Sequence, residues 1–194
     1  MSISPGLCAG VAAFPGHGTD ADALVRRARM AMFDARRRGK DCTVFATELE
    51  AQRSARLALM LDLRRAIEQK ALLLYCQPKV DLASRHVCGA EGLVRWQHPT
   101  QGMIPTEEFV RIAETSGLIT PLTYRVLEAA FQQSYAWHES GLDQPLSVNL
   151  SACDLHDPAL VDTLQGLFAT WGTKPEWIQF ELTESALMSG DTVN

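Results

Sequence analysis

Three polar side chains stand inside runs that otherwise read as sheet strands, and this restricts the possible folds more than any other feature. From residue 71 onward, strand-like and helix-like segments alternate. Leu72 to Val80 is an apolar run stopped by Pro78 and reads as a buried strand. Asp81 to Arg85 is a turn. His86 to Trp96 is a second strand, with Val87, Gly89, Glu91, Leu93 and Arg95 on one face. Glu107 to Ser116 and Thr123 to Glu139 read as helices, punctuated by Gly117, Pro121 and Gly141. Leu146 to Ser151 is a short strand, Pro158 to Trp171 a helix, and Trp177 to Thr183 a fourth strand. This order predicts an α/β unit with a mainly parallel sheet under helices, either doubly wound or a barrel.

Glu91, Asn149 and Glu181 are the three polar groups, one on each of the last three strands. A carboxylate in a strand interior is costly to bury unless paired or metal-bound. Taken singly, each fits a strand with one wet face. Taken together, placed in the C-terminal halves of their strands, they converge on the end where α/β barrels carry their sites. All three offer oxygen, which suits Mg²⁺, Mn²⁺ or Ca²⁺ and not Zn²⁺.

Charge divides the chain. Residues 1–70 carry a balance of +4 and residues 71–194 a balance of −9, for a net −5 over 194 residues. A sign change in so short a chain predicts two units with different roles. The acidic unit repels nucleic acid unless cations intervene. With 46% hydrophobic and 21% charged residues, the composition is globular. No apolar run approaches a membrane span. Five cysteines without a C-x-x-C pair speak against a disulfide framework or zinc knuckle and fit a reducing cytoplasm.

In residues 1–46, the run from Gly6 to Phe14 reads as a strand, followed by the turn Pro15-Gly16-His17-Gly18. Thr19-x-x-Asp22 has the form of a capping box. Leu24, Ala28, Ala31, Met32 and Ala35 recur at helical spacing, Gly39 ends the helix, and Cys42 to Phe45 is a returning strand. Arg36, Arg37, Arg38 and Lys40 could meet a phosphate, but cations are expected at a helix C-terminus on dipole grounds alone. Residues 47–70 form a connector. Glu48 to Lys70 lacks Gly and Pro, with Leu57, Met60, Leu61, Leu63 and Ile67 on an apolar side, which predicts one long amphipathic helix joining the units.

Two resemblances follow. Ala9 to Pro15, together with Arg27 to Gly39, resembles the C-terminal third of a GGDEF (diguanylate cyclase) domain. Departures are Arg29 for the usual Asp, Phe33 for Tyr and Arg36 for Lys. The resemblance implies that the family's active-site hairpin lies before Met1, leaving this remnant a packing role and no cyclase activity. The second covers residues 50–194. Tyr75-Cys76-Gln77-Pro78-Lys79-Val80-Asp81-Leu82, Glu91-Gly92-Leu93-Val94-Arg95-Trp96, Gly102-Met103-Ile104-Pro105 with Phe109 and Ala113-Glu114, Val148-Asn149-Leu150-Ser151, and Glu181-Leu182-Thr183-Glu184-Ser185 resemble, in order, the motifs of the EAL domain. Together these identify the chain as similar to an internal stretch of a tandem GGDEF–EAL protein.

The EAL resemblance implies a TIM-like barrel with one antiparallel first strand and hydrolysis of cyclic di-GMP to pGpG with Mg²⁺ or Mn²⁺. By motif, Glu91, Asn149 and Glu181 (residues 71–194) would be metal ligands and Glu184 would support the catalytic loop. Gln77, Leu93 and Arg95 would lie against the substrate, with Arg95 on a phosphate. Gly92 replaces the signature's usual Ala. The family's Asp-Asp-Phe-Gly motif, catalytic Lys and later Glu and Gln would fall beyond Asn194. The expectation is therefore an incomplete barrel, with an open edge prone to pair with a second copy, and a fragment that does not cleave cyclic di-GMP. A non-catalytic cyclic di-GMP-binding or regulatory module is the alternative, and dimerisation through the Glu48 to Lys70 helix a third.

Other polar residues read as structural. His98 is expected in solvent. His138 and His156 lack partners at metal-ligand spacing, and Trp137, Trp171 and Trp177 belong to the core. Cys153 has no activating His.

Overall fold

A computed structural model describes residues 7–182 of the chain. They fall into two compact units that meet at Leu59 and Met60, inside a continuous helix.

The first unit is strand–helix–strand: β1 (Ala9–Val11), α1 (Ala21–Arg37) and β2 (Cys42–Val44), with β1 and β2 parallel and Gly10 opposite Thr43. The cap of α1 is Asp20, whose carboxylate accepts the Ala23 N–H at 2.7 Å. The capping box expected at Thr19 and Asp22 does not form: Asp20, one residue on, has the extended backbone a cap needs, and with Ala23 at the third helical position the cap is a single bond. Gly39 takes φ 63° just past the helix. Arg37 and Arg38 both pair with the buried Asp34, at 2.7 and 2.9 Å, so two members of the basic cluster serve their own helix. Met30, Ala31 and Phe45 form a small core with Ala12 and Leu49.

α2 (Thr47–Glu68) covers the segment in which one long helix was expected. Its buried stripe is Leu59, Leu63, Ala66 and Ile67, at helical spacing, while Leu57 and Leu61 stay exposed.

The second unit holds a five-stranded sheet: β3 (Leu73–Val80), β4 (Val87–His98), β5 (Gly102–Ile104), β6 (Leu146–Leu150) and β7 (Ile178–Leu182). The order is β3-β4-β6-β7, with β5 pairing back onto β4. β4, β6 and β7 are parallel, and β3 is antiparallel to β4. β5 is an element beyond the four strands expected, and it pairs through Trp96 with Ile104. β3 is not the buried strand its apolar run suggests, because its residues alternate between half-buried and exposed. Leu74 and Cys76 face the helices, and Tyr75, Gln77 and Lys79 face the other way. Pro78 can occupy this strand because β3 pairs only with β4 among the described residues.

The helices α3 (Thr106–Ser116), α4 (Ile119–Glu139), α5 (Ala152–Leu155) and α6 (Leu160–Trp171) complete the unit. α4 begins four residues before Thr123 and takes Pro121 into its first turn, where the missing N–H has no intrahelical partner to lose. The core packs Ala90, Leu146, Val148, Leu150 and Ile178 from the sheet against Leu127, Ala130, Phe131 and Leu160. Trp137 and Trp171 pack on it as expected. Trp177 stacks on His138 with centroids 3.6 Å apart, and His138 also contacts the Ser134 carbonyl and Asp143.

His98 is buried, contrary to the expectation of a solvent-exposed loop residue. Its Nδ1 accepts the N–H groups of Thr100 and Gln101, so Nε2 carries the proton and donates to Asp62 on α2 at 3.3 Å. The imidazole thereby closes the turn between β4 and β5, a task that sequence spacing alone does not reveal.

Candidate functional site

The register of the sheet decides which side chains share a face. Gln77 lies opposite Glu91, Tyr75 opposite Leu93, Glu91 opposite Ser147, and Asn149 opposite Glu181. Directly paired residues point to the same side of a sheet, and the side repeats every second residue. One face therefore carries Tyr75, Gln77 and Lys79 from β3, Glu91, Leu93 and Arg95 from β4, Ser147 and Asn149 from β6, and Gln179 and Glu181 from β7. The opposite face holds the helix-covered core. Thus Gln77, Glu91, Leu93, Arg95, Asn149 and Glu181 share one surface. Glu184 lies outside the described residues.

This face is concave. Lys79 stands on β3, yet its ammonium forms an ion pair with Glu181 on β7 and donates to Ser147 Oγ on β6 at 2.6 Å. In a flat sheet β3 and β7 are three strand spacings apart, about 14 Å, and the register sets Lys79 and Glu181 four residues apart along the strands, about 13 Å more. A lysine and a glutamate cannot bridge that gap, so the strands curl towards each other. Ser147 Oγ donates in turn to Gln179 Oε1 at 3.0 Å.

Glu91 departs from its expected place. It sits in the first half of β4, because pairing with β5 extends that strand to His98. Its register partner is Ser147, two residues short of Asn149. The stagger is bridged diagonally, where Asn149 Nδ2 donates to Glu91 Oε1 at 2.7 Å. Arg95 donates to the Val94 carbonyl at 2.9 Å and to Thr106 Oγ1 at 3.2 Å, and its guanidinium lies 6.0 Å from the centre of the Tyr75 ring. These contacts orient the fork and leave further N–H donors for an anion.

The hydrogen bond from Lys79 holds the Glu181 carboxyl below its ordinary pKa, helped by Ser147 and the lysine's charge and opposed by partial burial. A lowered folded value means stabilisation that is present above the unfolded pKa of about 4.3 and lost as the pH falls through the folded value. NMR titration of the Glu181 carboxyl is expected to give a midpoint below that of a free glutamate, and Lys79→Met to move it upward. An unchanged midpoint in the variant would mean the ion pair does not hold the charge.

The turn after β6 is anchored by Asp154, which is fully buried. Its Oδ2 accepts from Ser151 N at 2.8 Å, Ser151 Oγ at 2.6 Å and Thr123 Oγ1 at 2.9 Å. The Ser151 hydroxyl also accepts from Asp154 N, so a capping box starts α5 two residues beyond Asn149.

Gly92 faces the core. A methyl group there would meet the Ser147 carbonyl oxygen and Leu74 Cδ1, both at 3.2 Å. The glycine therefore lets β4 and β6 approach closely beside Glu91.

Lys79, Ser147 and Gln179 are site residues that the sequence reading left without a role. Each stands two residues from one that was assigned (Gln77, Asn149 and Glu181, respectively), so strand alternation held the signal.

Residues 60–193 match the model of the EAL domain family. The chain belongs to the EAL domain family. It is 34% identical over 181 residues to the bifunctional diguanylate cyclase/cyclic di-GMP phosphodiesterase MucR of Pseudomonas aeruginosa, covering 92% of this chain and 26% of that protein. It is 36% identical over 184 residues to the cyclic di-GMP phosphodiesterase PdeR of Escherichia coli, covering 94% and 28%. Among solved structures, it resembles the PaMucR phosphodiesterase in complex with c-di-GMP, with TM-score 0.64 and 36% identity over 68% of this chain and 53% of the other. The chain thus spans about a quarter of the length of these curated relatives. No described helix of this EAL chain is long and apolar enough to cross a membrane.

Proposed function

We propose that the second unit is the first part of an EAL barrel that binds cyclic di-GMP on its concave face and, in the complete domain, hydrolyses it to pGpG with Mg²⁺ or Mn²⁺. The observation that carries this reading is the convergence of Glu91, Asn149 and Glu181 from three parallel strands, beside Arg95 and Gln77. The strand–helix–strand unit is read as the tail of a GGDEF domain with a packing role.

The donors suit a hard divalent cation. Two carboxylates and an amide oxygen make an all-oxygen set, and Glu181 already attracts the ammonium of Lys79. Among the described residues, no group of three or more His, Cys, Asp or Glu side chains forms a metal cluster. Two acids with Asn149 therefore make a partial set, to which the EAL resemblance adds carboxylates from later in the domain. A bound cation supplies positive charge to a phosphoryl oxygen and makes a water more acidic. The chain's own residues bind and orient. Arg95 takes a non-bridging phosphate oxygen with its oriented fork, Tyr75 and Leu93 offer apolar surface to the nucleotide, and Gln77 offers an amide. Glu184 belongs to this reading as support for the catalytic loop. Pairing of two copies through the EAL unit or α2 also belongs to it, and light scattering decides that point.

Residues 1–194 hold half of the metal ligands that the resemblance implies and lack its catalytic Lys. The polypeptide alone is therefore expected to bind cyclic di-GMP without turnover. Incubation with Mn²⁺ and chromatography of the products checks this. Accumulation of pGpG would overturn it.

A further inference from the structure

We propose that Lys79 is a built-in counter-cation of the site, competing with the divalent ion for Glu181. The inference rests on the reading of Glu181 as a metal ligand.

The geometry is specific. The Lys79 ammonium crosses from β3 to pair with Glu181 on β7 and to donate to Ser147 Oγ at 2.6 Å. Ser147 is itself fixed by its bond to Gln179 at 3.0 Å, so the ammonium has a seat built from β6 and β7. It thereby brings one positive charge to one of the two carboxylates of the donor set. The other, Glu91, is held by a neutral amide hydrogen bond from Asn149. The two acids are thus unequal before any cation arrives. One is engaged by a neutral donor, the other by a charge.

A divalent ion reaching Glu181 meets like charge at close range. Two cations on one carboxylate repel, so the ion binds fully only when the ammonium leaves its seat. Withdrawal breaks the bonds to Glu181 and Ser147, and this cost is subtracted from the ion's affinity. In exchange the seat keeps Glu181 directed onto the concave face when no ion is present. The side chains of Lys79 and Glu181 are about one-third exposed, which moderates the competition without removing it. A displaced ammonium stays on the same concave face, where an anionic ligand would attract it.

The experiment is a Mn²⁺ titration of the 194-residue chain, read by the electron paramagnetic resonance signal of free Mn²⁺ without nucleotide or turnover. Lys79→Met keeps the aliphatic stem and removes the charge. It is expected to tighten Mn²⁺ binding at least about fivefold, the lower end of coupling between two linked ligands. Lys79→Arg, which keeps the charge, is expected to stay within about twofold of the parent chain on the same reasoning. Circular dichroism confirms that each variant is folded, and Lys79→Gln replaces Lys79→Met should that variant fail. Equal affinity in the charge-removing variant and the parent overturns the competition. Weaker binding also overturns it and makes Lys79 a support for Glu181 instead. Absence of Mn²⁺ binding in both parent and variant overturns the metal-site reading itself, and the competition with it.

Discussion

Glu181→Gln is expected to remove most of the divalent-cation affinity of the chain and, with it, the cation-dependent part of cyclic di-GMP binding. The substitution keeps the size of the side chain and removes its negative charge. Hard cations draw their affinity from charged oxygens, and a set of only two carboxylates has little charge to spare. The lost ion pair with Lys79 costs little by itself, since both side chains are about one-third exposed. The folded fraction should hardly change while Mn²⁺ affinity falls by about tenfold or more, a change of at least about 1.4 kcal/mol. Calorimetric titration with Mn²⁺, followed by denaturation of the same sample, separates the two effects. Unchanged affinity in a folded variant would place the cation elsewhere.

Gly10→Ala is expected to unfold or severely loosen the first unit while leaving the second intact. A methyl group at this position would lie 2.0 Å from the carbonyl oxygen of Ala28 and 2.2 Å from the amide nitrogen of Met32. Both belong to the backbone of α1, so no side chain can swing aside. The helix must back away from β1, breaking its packing over a small core of Met30, Ala31 and Phe45. Overpacking of a core costs about 1–3 kcal/mol when side chains can adjust. A backbone clash in so small a unit should exceed that range. Hydrogen exchange reads the two units separately. Protection is expected to fall in residues 9–44 and to persist in β4, β6 and β7. Wild-type protection at α1 would mean that the strand and helix do not approach as closely as described.

The sequence was most legible where one periodicity ran uninterrupted. Alternation along Val87, Gly89, Glu91, Leu93 and Arg95 placed these residues on one face, and the structure extends that face through Asn149 and Glu181. The strand–helix order matched the parallel run of β4, β6 and β7, whereas β3 and β5 both pair antiparallel with β4. What escaped notice depends on contacts distant in sequence or on local polar geometry. Lys79 and Glu181 are 102 residues apart, and their pairing requires the sheet to curl, which no single strand records. Glu91 lies lower in its strand than expected because β5 lengthens β4, and a three-residue strand leaves almost no periodic signal. The buried character of β3 was misjudged because an apolar run reads alike whether one or both faces are covered. His98 was expected in solvent and Asp154 received no role, because both act in closing turns, where residue type alone does not distinguish a surface group from a buried anchor.

We propose that cyclic di-GMP and a divalent cation meet on the concave face of the sheet. The most direct test is NMR titration of the isotope-labelled chain with cyclic di-GMP in Mg²⁺, mapped residue by residue. Shifts are expected to concentrate at Gln77, Glu91, Leu93, Arg95, Asn149 and Glu181, and to shrink when EDTA replaces Mg²⁺. Saturable shifts confined to the first unit or to the helix-covered side of the sheet, or none at millimolar ligand, would contradict the account.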